Sequence, residues 1–152
     1  MPIRPWSLSC LALLGLSAAA PAGARTAEEA RALAERAIAF ARAAGHEKAF
    51  DAFGRPDGGF VDGELYVFCL DASGTVVAHG GNPALVGRDL SQVRDPDGHL
   101  PNVEANRMGH DQGAGWVRYR WPNPASHRIE RKSVYVIRLD DQTVCGAGYY
   151  EP

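Results

Sequence analysis

The sequence predicts an α+β domain: a long N-terminal helix packed on a five-stranded antiparallel sheet, with a long crossover between the second and third strands capping the other face. Three observations carry this. Residues 26–45 place apolar side chains at helical spacing behind a capping signature. After residue 60 the pattern changes to five short runs of strand type. Between the second and third runs lie residues 80–114, far longer than a hairpin turn. They are rich in Gly, Asn, Asp and Pro, yet carry Leu85, Val86, Leu90, Val93 and Leu100. A connection of that length in a small domain is functional or disordered, and these hydrophobics favour a folded cap.

The elements follow in order. Residues 1–24 carry Arg4, an apolar stretch from Leu8 to Leu16, and small residues at Ala22 and Ala24. This is the layout of a secretory signal peptide cleaved near Ala24. The apolar stretch is too short to span a bilayer comfortably, an uncleaved anchor being the alternative reading, and Cys10 comes too early for a lipoprotein cysteine. The expectation is therefore a single domain over residues 25–152, periplasmic or secreted. Loss of Arg4 takes the formal charge from −2 to −3, which leaves no electrostatic footprint for nucleic acid.

Thr26 opens the helix, because Thr26 and Glu29 form a capping box. Ala30, Leu33, Ala34, Ala37, Ile38 and Ala41 make its apolar face, and Gly45 is a natural stop. A second short helix is expected over Glu47–Phe53. Strands are expected at Glu64–Asp71, Thr75–His79, Trp116–Trp121, Glu130–Leu139 and Thr143–Tyr150, with turns at 71–74 and 140–142 and a break at Pro122-Asn123-Pro124. Within the cap a short helix is expected near Val103–Met108.

No enzyme motif survives inspection, and no cofactor is called for. His46-Glu47-Lys48-Ala49-Phe50 is one residue short of a zinc HExxH. Asp95–Gly98 resembles part of a calcium loop, but its glycine comes early and Asn106 stands where a bidentate glutamate belongs; a turn with local side-chain hydrogen bonds fits better. There is no G-x-S-x-G serine or P-loop, and Gly146-Ala147-Gly148 lacks the third glycine of a dinucleotide site. Cys69 and Cys145 lie in apolar strand-like runs. Two buried free thiols are the plainer reading. Export permits a disulfide, which needs α-carbons within about 7 Å.

The run GWVRYRWPNPASHRIERKSVYV at 115–136 concentrates arginine, tryptophan, tyrosine and lysine. Alternation puts Val117, Tyr119 and Trp121 on one face and Arg118 and Arg120 on the other; on the next strand it separates Lys132 from Tyr135. Arg118 and Arg120 read as solvated edge charges. Tyr119 and Trp121 read equally as core or pocket wall, and His79 as a hydrogen-bonded structural histidine. If Lys132 and Tyr135 serve one site, a bulge must re-aim one of them. An aromatic-lined cavity with a lysine in its wall suits a small carboxylate.

Six stretches in order carry a family resemblance: FVDGELYVF (60–68), VAHGGNPALVG (77–87), DPDG (95–98), GWVRYRWPNP (115–124), KSVYV (132–136) and GAGYY (146–150). Together they resemble a single Cache domain of the second type, the extracytoplasmic sensor module of many bacterial chemoreceptors and histidine kinases. The resemblance covers roughly residues 26–150. It implies a PAS-like fold, a pocket on the face opposite the helix, and binding of small molecules, often short-chain carboxylates. Carried over position by position, the ligand-binding residues are His79, Tyr119, Trp121, Lys132 and Tyr135, with Tyr66 and Phe68 completing the wall. It further implies a membrane-bound receptor or histidine kinase as partner, and leaves a homodimer through the first helix open. The alternative is a structural module with a degenerate pocket. Two departures matter. Gly80 replaces the family's usual proline after His79, which alters the loop entering the cap. Membrane helices usually flank such domains, whereas a cleavable signal is expected here.

Overall fold

The computed structural model describes residues 24–152. The signal-peptide reading of residues 1–24 falls, Ala24 apart, outside that range. Helix α1 (Ala27–Ala44) starts where the capping box predicts. The Thr26 hydroxyl accepts from the Glu29 N–H at 3.2 Å, and the Glu29 carboxylate accepts from the Thr26 N–H at 2.8 Å. Gly45, at φ 86°, ends it in a conformation costly for any residue with a Cβ, and α2 (His46–Gly54) follows at once.

The strands are β1 (Val61–Asp62), β2 (Leu65–Asp71), β3 (Val76–His79), β4 (Ala114–Pro122), β5 (Ile129–Arg138) and β6 (Thr143–Tyr150). Five lie within two residues of expectation. The sixth, β1, was not foreseen, since two residues carry no periodicity. All pairs are antiparallel, and the spatial order is β1–β2–β6–β5–β4, with β3 also paired to β2. Val67 shows how β2 serves both β1 and β3 along one edge: its N–H donates to the Phe60 carbonyl at 3.3 Å, and its carbonyl accepts from the Gly80 N–H at 2.9 Å. A proline at residue 80 could not make that second bond, so the departure at Gly80 extends the ladder by one rung.

The sheet separates two cores. On one side α1 buries Ala30, Leu33, Ala34, Ala37, Ile38 and Ala41 against Val67, Cys69, Cys145 and Ala147. Leu33 and Ile38 contribute roughly 2 kcal/mol each by burial, while the alanines let the helix approach closely. On the other side the cap closes over Phe68, Leu70, Val117, Tyr119, Val134, Val136 and Val144. Its helix α3 (Pro101–Gln112) is twice the length expected; Pro101 at its first turn lacks only an N–H that would have no helical partner. Gly109 lets α3 touch the sheet, because a Cβ there would stand 2.4 Å from Val144 Cγ1. The expected Asp95 turn ties the cap to the sheet edge: its carboxylate accepts from the Asp97, His99 and Arg120 N–H groups at 3.0, 2.8 and 2.8 Å.

Cys69 and Cys145 face one another across β2 and β6, with α-carbons 4.1 Å apart, and are joined by a disulfide. The plainer reading of two free thiols gives way here, because it had no knowledge of which strands are neighbours.

Candidate functional site

Register decides which side chains meet. In the β4–β5 pair Tyr119 stands opposite Lys132 and Trp116 opposite Tyr135, and pairing runs unbroken from Ala114↔Ile137 to Pro122↔Ile129. Directly opposed residues point to the same face. Lys132 therefore joins Tyr119 and Trp121 under the cap. Tyr135 turns to the helix side, where the Arg31 guanidinium lies 5.0 Å from its ring centre and Trp116 packs at 5.1 Å. No bulge re-aims it, so Tyr135 is removed from the candidate set.

The other six expected residues, Tyr66, Phe68, His79, Tyr119, Trp121 and Lys132, line one small chamber between sheet and cap. Leu70, Val76, Leu90 and Asn102 complete the wall. Its free volume is about 10 Å³, room for a single water. Beside it an open cavity of about 700 Å³ leads to solvent; Tyr66, His79, Leu90 and Trp121 belong to both. The rim is fixed by Asn123 of the PNP turn, whose amide donates to Glu64 at 2.9 Å and Glu130 at 2.8 Å. Arg118 lies out of the chamber, exposed and paired with Glu151 at 3.2 Å, and Arg120 is held by Asp97 at 2.8 Å. Arg118 agrees with its reading as a solvated edge charge, whereas Arg120 is only partly exposed and lines the open cavity.

Lys132 is the unusual member, since it is only 1 % exposed. Its stem fits because residue 148 is glycine: a Cβ there would stand 3.0 Å from Lys132 Cε and 2.6 Å from the Ser133 carbonyl oxygen. The Nζ atom lies 3.8 Å from the Tyr66 ring centre and 5.0 Å from that of Tyr150, so two aromatic faces partly replace water. No carboxylate lines the chamber, and Glu64 acts on the ammonium only at longer range. Burial outweighs that attraction and pushes the Lys132 pKa down to about 7.

The neighbours are held in defined protonation states. His79 Nδ1 accepts from the Asn82 N–H at 2.9 Å, which places the ring proton on Nε2. Burial, then the Lys132 charge, push its pKa down to about 3, so the ring is a neutral donor. Tyr150 donates to the Pro122 carbonyl at 2.6 Å, leaving its oxygen to accept from Tyr66 at 3.3 Å. Burial pushes the Tyr66 pKa up to about 12 and raises that of Tyr119 well above normal, so both stay neutral phenols. Asn102 escaped sequence reasoning because α3 shows no clean apolar stripe to mark its inner face. It is buried, and its Nδ2 has no hydrogen-bond partner. The walls thus combine one lysine amine, several neutral donors and aromatic faces. Among the described residues no cluster could hold a metal ion.

A pH effect follows from Lys132. In the unfolded chain lysine holds its proton to about 10.5, whereas in the fold it releases it near 7. The unfolded state therefore binds more protons between those values, and the ligand-free fold gains stability as pH rises through that window. His79 acts below it, between about 3 and 6.5. The expected result is a higher melting temperature at pH 9 than at pH 7, an increment that Lys132→Met removes. An equal rise in the variant would assign the effect elsewhere.

The model of the family described as single Cache domain 2 matches residues 14–150. The chain is 36% identical over 75 residues to methyl-accepting chemotaxis protein McpP of Pseudomonas putida, a match covering 49% of this chain and 14% of that protein. It therefore corresponds to a small part of that relative's length. A solved structure described as the periplasmic sensor domain of a chemotaxis protein is 32% identical, with TM-score 0.63, covering 82% of this chain and 90% of the other. Another, described as giving the structural basis for carboxylic acid recognition by a Cache chemosensory domain, is 25% identical, with TM-score 0.63 and coverage of 82% and 88%.

Proposed function

Since the chain belongs to the single Cache domain 2 family, a family of sensor domains, we propose that it senses a short-chain carboxylate held in the chamber under its cap. The observation that carries this reading is Lys132: a buried ammonium with no carboxylate in its chamber is costly to the empty fold, and an anionic ligand supplies the missing partner. His79 and Tyr119 would add neutral hydrogen-bond donors, and Tyr66, Phe68 and Trp121 the apolar wall. The likeness to a Cache domain described as recognising carboxylic acids supports the ligand class.

The protein is exported, with cleavage near Ala24, and acts in the periplasm or outside the cell. Among the described residues no helix is long and apolar enough to cross a membrane. In this reading signalling runs through a partner, a membrane-bound receptor or histidine kinase, in keeping with the likeness to chemotaxis proteins. A homodimer through α1 is the natural way to present the liganded state. Binding reports nothing unless the ligand distinguishes two conformations. Here it must, since a chamber of about 10 Å³ has to expand to admit even a two-carbon acid. No catalysis and no cofactor are part of this reading.

Thermal denaturation across a series of two- to four-carbon acids tests it. At a concentration a hundred times Kd, a true ligand adds about 2.7 kcal/mol, which raises the melting temperature by roughly 10 °C for a domain of this size. A flat response to the whole series at pH 6.5, where Lys132 is protonated, would refute it.

A further inference from the structure

We infer that Asn102 is a specificity-determining residue of the chamber, selecting carboxylates that bear an oxygen on the carbon next to the carboxylate, the 2-oxo and 2-hydroxy acids, over plain acids of equal length. The inference rests on the carboxylate reading above and goes beyond it by naming which acids bind best. Asn102 is 7% exposed, and its Nδ2 has no hydrogen-bond partner. An unpaired buried amide hydrogen is destabilising by about 1–3 kcal/mol. Packing alone does not call for an amide here, because the apolar side chains of Leu70, Val76 and Leu90 share this wall. A ligand that fills the chamber must therefore bring an acceptor for this donor or leave it unpaired.

The position of the donor identifies that acceptor. Lys132 rises from β5 in the sheet, while Asn102 descends from the first turn of α3 in the cap. The carboxylate is taken by the charged group, where a charge-assisted bond is strongest. A second donor on the opposite wall then faces the next atoms of the ligand. In a short-chain acid those atoms are the carbon beside the carboxylate and its substituent. A keto or hydroxyl oxygen there satisfies the amide; a methylene leaves it unpaired. Sites built to hydrogen-bond a substituent discriminate against analogues that lack it.

Isothermal titration of the intact protein with propionate, pyruvate and L-lactate, at pH 6.5, reads this directly. Pyruvate or lactate is expected to bind about tenfold more tightly than propionate. In Asn102→Leu the preference should disappear, the ratio of pyruvate or lactate affinity to propionate affinity falling to about one. Propionate binding as tightly as both oxygenated acids in the unaltered protein overturns the inference and leaves the carboxylate reading intact, and so does a preference that persists in Asn102→Leu. Should that variant fail to fold, Asn102→Ala serves the same comparison, and the affinity ratio of the unaltered protein decides without either. If none of the three acids binds, the inference and the carboxylate reading fall together.

Discussion

Lys132→Met is expected to abolish the response to small carboxylates and, at the same time, to raise the melting temperature of the ligand-free protein near neutral pH. The two effects have one cause. The ammonium is withdrawn from water into a wall of tyrosine rings, and its pKa near 7 measures how poorly the empty chamber replaces hydration. Methionine keeps the length and flexibility of the stem that threads past Gly148 and removes the charge. Replacing a buried charge by an apolar group of similar volume is commonly stabilising, by about 1–4 kcal/mol. Binding moves the other way. A buried charged hydrogen bond to a ligand is worth about 2–5 kcal/mol on truncation, so affinity should fall at least about thirtyfold and in practice below detection. A stabilised variant with no ligand response separates loss of function from loss of fold. A variant that binds as before would remove Lys132 from the site, and a destabilised one would mean that the ammonium has a structural partner. The coupling also has a thermodynamic signature. Above pH 7 the empty chamber holds largely neutral lysine, so carboxylate binding at pH 8 should draw a proton from buffer, visible as a titration enthalpy that varies with the buffer's ionisation enthalpy.

The same residue shows what was legible in the sequence and what was not. Alternation along each strand was enough to separate Arg118 and Arg120 from Tyr119 and Trp121, and to set Lys132 apart from Tyr135. It could not say which face of β5 matched which face of β4, since that depends on register, and register follows from how the chain returns through residues 123–128. Once Tyr119 is seen opposite Lys132, the conflict inside the expected set resolves: six residues stay and Tyr135 leaves. The helix boundaries were readable because capping is local chemistry, as the Thr26–Glu29 pair demonstrates. Asn102 was not readable for the opposite reason. Asn102, Asn106 and His110 lie one turn apart on α3, and each has a buried side-chain atom without a partner. A helix that turns polar side chains inward defeats any rule equating polar with exposed. The chamber itself arises from strands and helix far apart in the chain, which no local pattern encodes.

Replacing Cys69 and Cys145 together by alanine is expected to lower stability by about 4 kcal/mol, the loop-entropy value for a closure of this length. The bridge joins residues 76 apart in sequence. It enforces in the unfolded chain the β2–β6 contact that closes the centre of the sheet. Both cysteines are fully buried on the helix side, beside Val67 and Ala147, so the effect should be global and should not single out the ligand chamber on the other face. For a domain of this size the loss corresponds to a fall in melting temperature of roughly 15 °C. Ligand affinity of the folded variant should remain within about threefold of the original, because the substitution touches none of the chamber's walls. Chemical reduction should reproduce the loss only under denaturing conditions, since neither sulfur is accessible in the fold. A small or absent shift would mean that strand pairing already determines the unfolded ensemble. A selective loss of ligand binding would instead reveal that the two faces of the sheet are coupled through β2. That coupling has a physical route: along β2, Cys69 points to the helix and its neighbours Phe68 and Leu70 point into the chamber. Any strain that moves the central strand is therefore delivered to both faces, which is what a sensor needs if events under the cap are to reach α1.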